Sequence, residues 1–438
     1  QEQDEALDQI TKGLRSCRFK EYLLYGVTGS GKTEVYIRAI KTCLRRKRSA
    51  ICLFPEIALT THLEESFRGQ FGNELAVIHS RLSPAERFVM WRDIKEGKRR
   101  VVIGARSALF SPVKELGIIV MDEIHENTYK QNDTPRYHAY TAARRRAQLE
   151  HAILVTGGAT PSLEVMHAAA RKKATLLPLS KRVIDREMPE VRVIDMKHEV
   201  RRGRVTLISQ FLRDKIEACL REKESILLFL NRRGFSTTVT CYKCGNVIEC
   251  PNCKIPYTYH QSNRKLVCHY CDDTRKVPDA CPDCSHPGLR FSGSGTEKVE
   301  SYVARMFPEA RIERLDTDRV RKKGEHARIL GTFKKGEIDI LVGTQMITKG
   351  FDFPNVTLVG VINADTVLTL PDFRSTERTF QLITQVAGRA GRGTKKGCVV
   401  VQTFIPDHYA VRTAQNHDYR AFCTKEIKSR KFLRYPPF

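Results

Sequence analysis

The sequence of 438 residues is 41% hydrophobic and 29% charged, apolar enough to exclude a globally disordered chain and long enough for about three domains of roughly 100–200 residues. No apolar run approaches the roughly 18 residues of a membrane helix, so neither a membrane span nor a membrane partner is expected. Lys and Arg number 75 against 50 Asp and Glu, and the net charge of +25 favours a polyanionic partner, nucleic acid ahead of a lipid surface.

From residue 20 to 160, short β-branched runs alternate with amphipathic stretches. Tyr22–Gly26, Ser49–Pro55, Leu75–Ser80, Val101–Ala105, Ile118–Glu123 and Ala152–Gly157 read as strands. Continuous apolar strands with helical spacers predict a parallel sheet covered on both faces. The pattern returns in Ser225–Leu230, Arg311–Asp316, Ile338–Gly343, Val356–Asn363 and Cys398–Phe404. The fold class is therefore α/β with two parallel-sheet lobes. The expected domains are lobe 1 over residues 1–178, an inter-lobe connection over 179–221, lobe 2 over 222–240 plus 285–425, a cysteine-rich insertion over 241–284, and the start of a C-terminal segment over 426–438. The connection is read from its mixture of charge with Pro189 and Gly203. The single Trp91, in the amphipathic stretch Arg87–Arg92, is expected to pack in the core. The chain opens on Gln1 with neither a secretory signal nor a transit peptide to be read, which suggests an excised core.

Directly after the first strand stands Gly26-Val27-Thr28-Gly29-Ser30-Gly31-Lys32-Thr33, a complete G-x-x-x-x-G-K-T followed by the helix-compatible Glu34–Leu44. Strand, loop and helix come in the order a phosphate loop requires. Gly26, Thr28, Gly29, Ser30 and Gly31 would turn backbone N–H groups onto a nucleotide phosphate, Lys32 would supply a point charge, and the Thr33 hydroxyl would ligate Mg²⁺. Asp122 and Glu123 end the apolar strand Ile118–Met121. Asp122 is expected to hold Mg²⁺ through water, and Glu123 to orient and deprotonate the attacking water. In lobe 2, Arg389 and Arg392 share a helical face after Gln385, with Gly388 and Gly391 allowing close approach; they suit charge stabilisation on a γ-phosphate.

Eight of the fourteen cysteines form four C-x₂-C knuckles: Cys241/Cys244, Cys250/Cys253, Cys268/Cys271 and Cys281/Cys284. That is the ligand count of two closed tetrahedral Cys₄ sites, and Zn²⁺ fits better than iron–sulfur clusters, whose spacings differ. Knuckle pairing can be sequential or nested. The block is nearly neutral, with six basic and five acidic residues, so the cationic surplus belongs to the lobes.

Taken in order, Gly26–Thr33, Pro55-Glu56-Ile57-Ala58-Leu59-Thr60, Asp122-Glu123-Ile124-His125, Gly158-Ala159-Thr160-Pro161-Ser162 and Gln385–Arg392 resemble motifs I, Ia, II, III and VI of superfamily 2 helicases. Gly104–Phe110, Tyr129-Lys130-Gln131, Leu228–Gly234, Gly295–Lys298, Thr348–Pro354, Pro371–Arg374 and the cysteine block are similar to those of the bacterial replication-restart helicases within that superfamily. The resemblance covers nearly the whole chain. It implies two RecA-like lobes, ATP and Mg²⁺ as cofactors, two Zn²⁺ in nested pairing (Cys241, Cys244, Cys281 and Cys284; Cys250, Cys253, Cys268 and Cys271), and 3′→5′ helicase or translocase activity on single-stranded and forked DNA. Implied partners are the single-strand-binding protein and other primosome proteins, including the replicative helicase loader, in a bacterial cytoplasm at the nucleoid. Members of the family carry further domains at both ends, so fork preference is expected to be weakened in this stretch.

Motif position nominates Arg106, Ser107, Tyr129, Lys130, Tyr137, His138, Thr296, Lys298, Thr344, Lys349 and Arg374 for DNA contact or coupling, the aromatics as base-stacking groups. The sequence departs from the family at Ile124 for Glu, Gly158 for Ser, Ala105 for Thr and Tyr140 for Arg. None is the Mg²⁺ or base position, so hydrolysis is expected to survive and coupling to carry any effect. Two other function classes are a DNA-stimulated ATPase that translocates without unwinding, and a zinc-module scaffold with a silent ATP site. The intact phosphate loop and acidic pair argue against the scaffold.

Overall fold

The computed structural model describes residues 1–55, 61–79, 82–182, 188–202, 206–230, 238–241, 243–244, 246–252, 256–260, 263–268, 271–292, 295–316, 325–344, 347, 353, 355–370, 372–391, 393 and 395–438. Residues 1–186 form one compact unit and residues 187–436 the other. Among the described residues no helix is long and apolar enough to cross a membrane.

The first unit is built on seven strands: β1 (Lys20–Gly26), β2 (Ser49–Leu53), β3 (Leu75–Ile78), β4 (Val101–Gly104), β5 (Leu116–Met121), β6 (Ile153–Gly158) and β7 (Thr175–Leu179). They lie in the order β3-β4-β2-β5-β6-β1-β7, all parallel. Alternation along β5 shows why the sheet is two-sided. Ile118 and Val120 join a core with Ile10, Val35, Ile40 and Phe67, whereas Ile119 and Met121 join another with Ile94, Ala139, Ala143 and Val165. Helices Glu2–Ser16, Lys32–Arg45 and Thr61–Phe71 supply the first face; Pro84–Glu96, Ala139–Leu149 and Leu163–Ala170 supply the second. Strands buried on both faces read as unbroken apolar runs.

The second unit continues with β8 (Glu190–Asp195), β9 (Ser225–Phe229), a small antiparallel set from β10 (Thr238–Cys241), β11 (Thr258–His260), β12 (Lys265–Val267), β13 (Thr274–Lys276) and β14 (Leu289–Ser292), then β15 (Ile312–Leu315), β16 (Ile340–Gly343), β17 (Val356–Val361) and β18 (Cys398–Thr403). Its main sheet is parallel in the order β15-β16-β9-β17-β18-β8. Leu212 and Ile216 of helix Gln210–Arg221, with Val299 and Val303 of helix Thr296–Met306, pack one core of this sheet. The insertion leaves the lobe through β10 and returns through β14, its antiparallel partner, while β11, β12 and β13 form a separate small sheet.

Three expectations about boundaries meet a different arrangement. Strands β7 and β8 come from the tail of lobe 1 and from the expected connection, and each closes an edge of a main sheet. Edge strands need only one partner and tolerate Pro178 in β7 and the charges of β8, which hid them from an apolar-run reading. The expected division between residues 425 and 426 falls inside helix Tyr419–Phe432, which packs against lobe 2 through Tyr419 and Phe422 on Phe380.

Candidate functional site

Because the first sheet is parallel, the ends of β1, β5 and β6 open on one edge, with β6 between the other two. Ligands of open α/β sheets bind at that edge. The phosphate loop leaves β1 there and turns into helix Lys32–Arg45. Gly29 and Gly31 adopt φ of 83° and 79°, the left-handed region that favours glycine. Gly26 is required for space: a Cβ there would lie 2.5 Å from Ser30 Oγ and 2.9 Å from Leu179 Cβ. The Lys32 ammonium is buried and donates to the carbonyl oxygens of Gly26 at 2.8 Å and Val27 at 3.3 Å, so it is already folded across the loop. The Ser30 hydroxyl is buried with no hydrogen-bond partner among the described residues, an unmet polar group inside the cradle.

Asp122 follows β5 and its N–H donates to Leu53 O at 3.0 Å. Its Oδ1 accepts from the Tyr36 hydroxyl at 2.9 Å, and Tyr36 is fully buried one helical turn beyond Lys32. Burial first, and then the neighbouring Glu123 carboxylate, push the Asp122 carboxyl up to about 7, with Lys32 and the Tyr36 hydroxyl opposing. The adjacent carboxylates of Asp122 and Glu123 are oxygen donors suited to a hard divalent cation such as Mg²⁺. Glu123 has φ 47°, a left-handed conformation that costs a non-glycine residue on the order of 1 kcal/mol. Its Oε2 lies 3.5 Å from Nδ1 of the buried His125. The Ile124 N–H donates to Gly157 O at 2.9 Å, tying the acidic turn to β6.

Tyr36, Gly157 and His125 were not singled out by the sequence reading. A signal existed for Tyr36, four residues after Lys32 on the same helical face. Gly157 stands in a strand, where glycine often marks close approach: a Cβ there would lie 1.6 Å from the Tyr36 hydroxyl. At Gly158 a Cβ meets nothing closer than 3.7 Å, so a serine would fit that departure from the family pattern.

Several nominated DNA contacts have other duties. Tyr129 is 1% exposed, with its hydroxyl donating toward Leu53 O at 3.0 Å and Asp122 O at 2.6 Å. It cannot stack on a base in this arrangement, although it touches the acidic turn directly. Arg106 donates to the carbonyls of Thr128 and Lys130, both at 3.0 Å, and so fastens that loop. Ser107, Lys130 and His138 are exposed, and Tyr137 is half-buried edge-on to Phe110 with centroids 5.2 Å apart. Tyr140, one of the departures, donates to the buried Glu21 at 2.5 Å beside Arg144 at 3.0 Å, which makes it a tether to β1. Trp91, expected in the core, is 40% exposed.

In the second unit Thr296 is buried and its hydroxyl donates to Asp316 at 2.5 Å, which removes it from a phosphate-contacting role here. Lys298 is exposed and Thr344 half-buried. Arg374 lies over Phe373, its guanidinium carbon 4.3 Å from the ring centroid. Gln385 stands in the last turns of helix Ser375–Ala387 and Arg389 just beyond, both half-buried. Gly391 has φ 67°, and a Cβ there would lie 2.5 Å from Gly397 N, so a glycine is needed on both counts. Arg392, Lys349 and Cys253, with residues 56–60 of the second motif, lie outside the described residues.

The cysteine block brings Cys241, Cys244, Cys281 and Cys284 together, their sulfurs within 4.8 Å of one another, and separately Cys250, Cys268 and Cys271. Sulfur pairs Cys241–Cys284, Cys244–Cys281 and Cys250–Cys271 are each 3.6 Å apart, far beyond a disulfide and close to the roughly 3.8 Å edge of a tetrahedron with Zn–S of about 2.3 Å. The grouping is the nested one. The Lys243 N–H donates to Cys241 Sγ at 3.3 Å, and such bonds favour the thiolate a metal requires.

Residues 1–168 match the DEAD/DEAH box helicase family, residues 250–276 the PriA DNA helicase Cys-rich region (CRR) domain, and residues 291–394 the helicase conserved C-terminal domain. The chain is 47% identical over 437 residues to the replication restart protein PriA of Bacillus subtilis, covering 100% of this chain and 54% of that protein. To PriA of Treponema pallidum it is 44% identical, covering 100% and 65%. The chain thus spans about half to two-thirds of the length of these relatives. Among solved structures it resembles RecG bound to a three-way DNA junction, with TM-score 0.51, 16% identity, and 99% of this chain and 50% of that one covered. The DUF1998 helicase MrfA bound to DNA gives TM-score 0.53 at 15% identity, covering 96% and 51%. At such identities these structures speak to the fold alone.

Proposed function

Since the chain belongs to the PriA family of replication restart proteins, we propose that it is an ATP-driven motor that moves 3′→5′ along single-stranded DNA and unwinds forked duplexes. The observation that carries this reading is the union of the phosphate loop and the acidic turn at one sheet edge through the Tyr36–Asp122 hydrogen bond. Lys32 and the loop N–H groups bind the nucleotide phosphates, and Thr33 and Asp122 would hold Mg²⁺, which supplies charge neutralisation when bound. Glu123 takes a proton from water as that water attacks the γ-phosphorus and ADP departs. Arg389 and Arg392 of lobe 2, with Gln385, are the groups we assign to the charge spreading over the transferred phosphoryl. DNA contact is assigned to the exposed Ser107, Lys130, His138 and Lys298, with Arg106, Tyr129 and Thr344 as coupling groups and Lys349 and Arg374 as further contacts. Two Zn²⁺ in the cysteine block complete the cofactor set. A cytoplasmic place at the nucleoid, and partners among primosome proteins, belong to the same reading.

The test is ATP hydrolysis with and without single-stranded DNA, beside unwinding of a fork with a 3′ tail. Turnover is expected to rise with DNA in the wild type and to fall to background in Lys32→Ala, with metal content unchanged. Wild-type turnover in Lys32→Ala refutes the nucleotide site, and hydrolysis without strand separation reduces the motor to a translocase.

A further inference from the structure

Helix Pro84–Glu96 buries one of its thirteen residues, Ile94. An isolated helix of that length is marginal in water, and a complete capping box holds its start: Ser83 Oγ accepts from Glu86 N–H at 3.3 Å while the Glu86 carboxylate accepts from Ser83 N–H at 2.9 Å. A helix held in this way keeps its outer face without a partner. That face is costly, because Phe88 is 67%, Val89 45% and Trp91 40% exposed.

Phe88, Trp91, Arg92 and Lys95 fall at i, i+3, i+4 and i+7, one stripe of the helix. Of its acids, Glu86 closes the cap, Asp93 meets Arg99 at 3.1 Å, and Glu96 meets Lys98 at 2.7 Å with Arg92 also in electrostatic reach. Arg92 and Lys95 form no salt bridge among the described residues. The helix follows β3, so it rises from the same sheet edge as the phosphate loop, and the adjoining β4 leads at that edge into the Arg106–Ser107 turn.

Aromatic faces flanked by cations that no salt bridge among the described residues engages match a polyanion with stackable rings. An apolar protein surface would satisfy Phe88 and Val89 while giving Arg92 and Lys95 no salt-bridge partner. We infer that the stripe Phe88–Trp91–Arg92–Lys95 is an additional binding surface for single-stranded DNA, bases resting on the two rings and phosphates on the two cations. The inference rests on the strand-binding part of the proposed function, to which it adds a contact that the helicase motifs do not include.

The chain has one tryptophan, so Trp91 emission reports on the stripe alone. The full chain is titrated with fluorescently labelled oligothymidylate, recording both label anisotropy and tryptophan emission. Emission is expected to be quenched in parallel with the anisotropy rise, and both are expected to weaken with salt. Phe88→Ala should weaken binding about five-fold or more, the equivalent of roughly 1 kcal/mol or more per stacked base, with melting temperature and DNA-free ATPase unchanged. Normal anisotropy with silent Trp91 emission, or full affinity in Phe88→Ala, overturns the stripe and leaves the motor intact. Quenching by raised protein concentration or by polyglutamate, with none by oligothymidylate, makes the helix a protein-docking face and also overturns it. Failure of the wild type to bind the oligomer at all sinks both readings.

Discussion

At Gly157 a single missing methyl group sets the geometry of the acidic turn. The Tyr36 hydroxyl occupies the space a Cβ would take, and from there it reaches Asp122. Gly157→Ala should therefore displace Tyr36, lower stability by about 1–3 kcal/mol, and reduce kcat. In a Tyr36→Phe background, where the offending oxygen is gone, the same substitution should cost less. Melting temperatures of the two single variants and the double variant check this, and additive losses would contradict it. Asp122 and Glu123 were legible because acids ending an apolar strand downstream of a G-x-x-x-x-G-K-T have few other readings. Tyr36 offered only its place four residues after Lys32, which sets it on the right helical face but does not reveal a bond across 86 positions. Tyr129 and Thr296 carry the reverse lesson: motif position named them, but the direction of a hydroxyl depends on the acceptors around it, here the Asp122 and Leu53 carbonyls for Tyr129 and Asp316 for Thr296.

At the scale of elements, helix Ser375–Ala387, which leads to Arg389, is clamped by helix Tyr419–Phe432. Arg430 is buried between them, 2.6 Å from Glu377 and 2.9 Å from Glu426, and Tyr409 donates to the same Glu426. Burial alone would push the Arg430 guanidinium down, but the two carboxylates raise it. Removing one partner of a buried set strands the others without compensation, so Arg430→Ala should cost about 3–5 kcal/mol. Combining Arg430→Met with Glu377→Gln and Glu426→Gln should recover most of it. Denaturant melts of the two variants measure the difference, and equal losses would show that packing, not charge, holds the helices. Apolar strands were legible to within a few residues, because burial on both faces writes itself as composition. The edge strands β7 and β8 were not, and the clamp was invisible because its charges resemble those of any solvated helix.

On the scale of the whole molecule, the cysteine block and the lobes hold their shapes by different means. The lobes have broad apolar cores, whereas the insertion has a small cluster around Val239, Ile248, Tyr257 and Leu266 beside its thiols. Stripping metal with a mercurial and a chelator should release two Zn²⁺ per chain and open residues 241–284 to protease, while lobe fragments stay protected. A block that keeps its protection after complete metal loss would show that the cluster suffices. The nested sulfur grouping was left open by spacing, since four evenly built knuckles satisfy either pairing; only the meeting of β10 with β14 brings the first and last together.

Strand β8 has a consequence for how such a chain is made. Glu190 emerges from the ribosome early, yet its partner in the sheet is Cys398, so the opening strand of lobe 2 waits unpaired while most of that lobe is synthesised. Sheet 1 has a shorter delay: β1 waits for β6, where Lys20 pairs with Ile153, and the sheet is complete with β7 at Leu179 before β8 begins. Vectorial synthesis thus delivers one finished lobe and then a long exposed interval, while the insertion, by clasping its own two ends, shortens the loop that remains to be closed when β18 arrives.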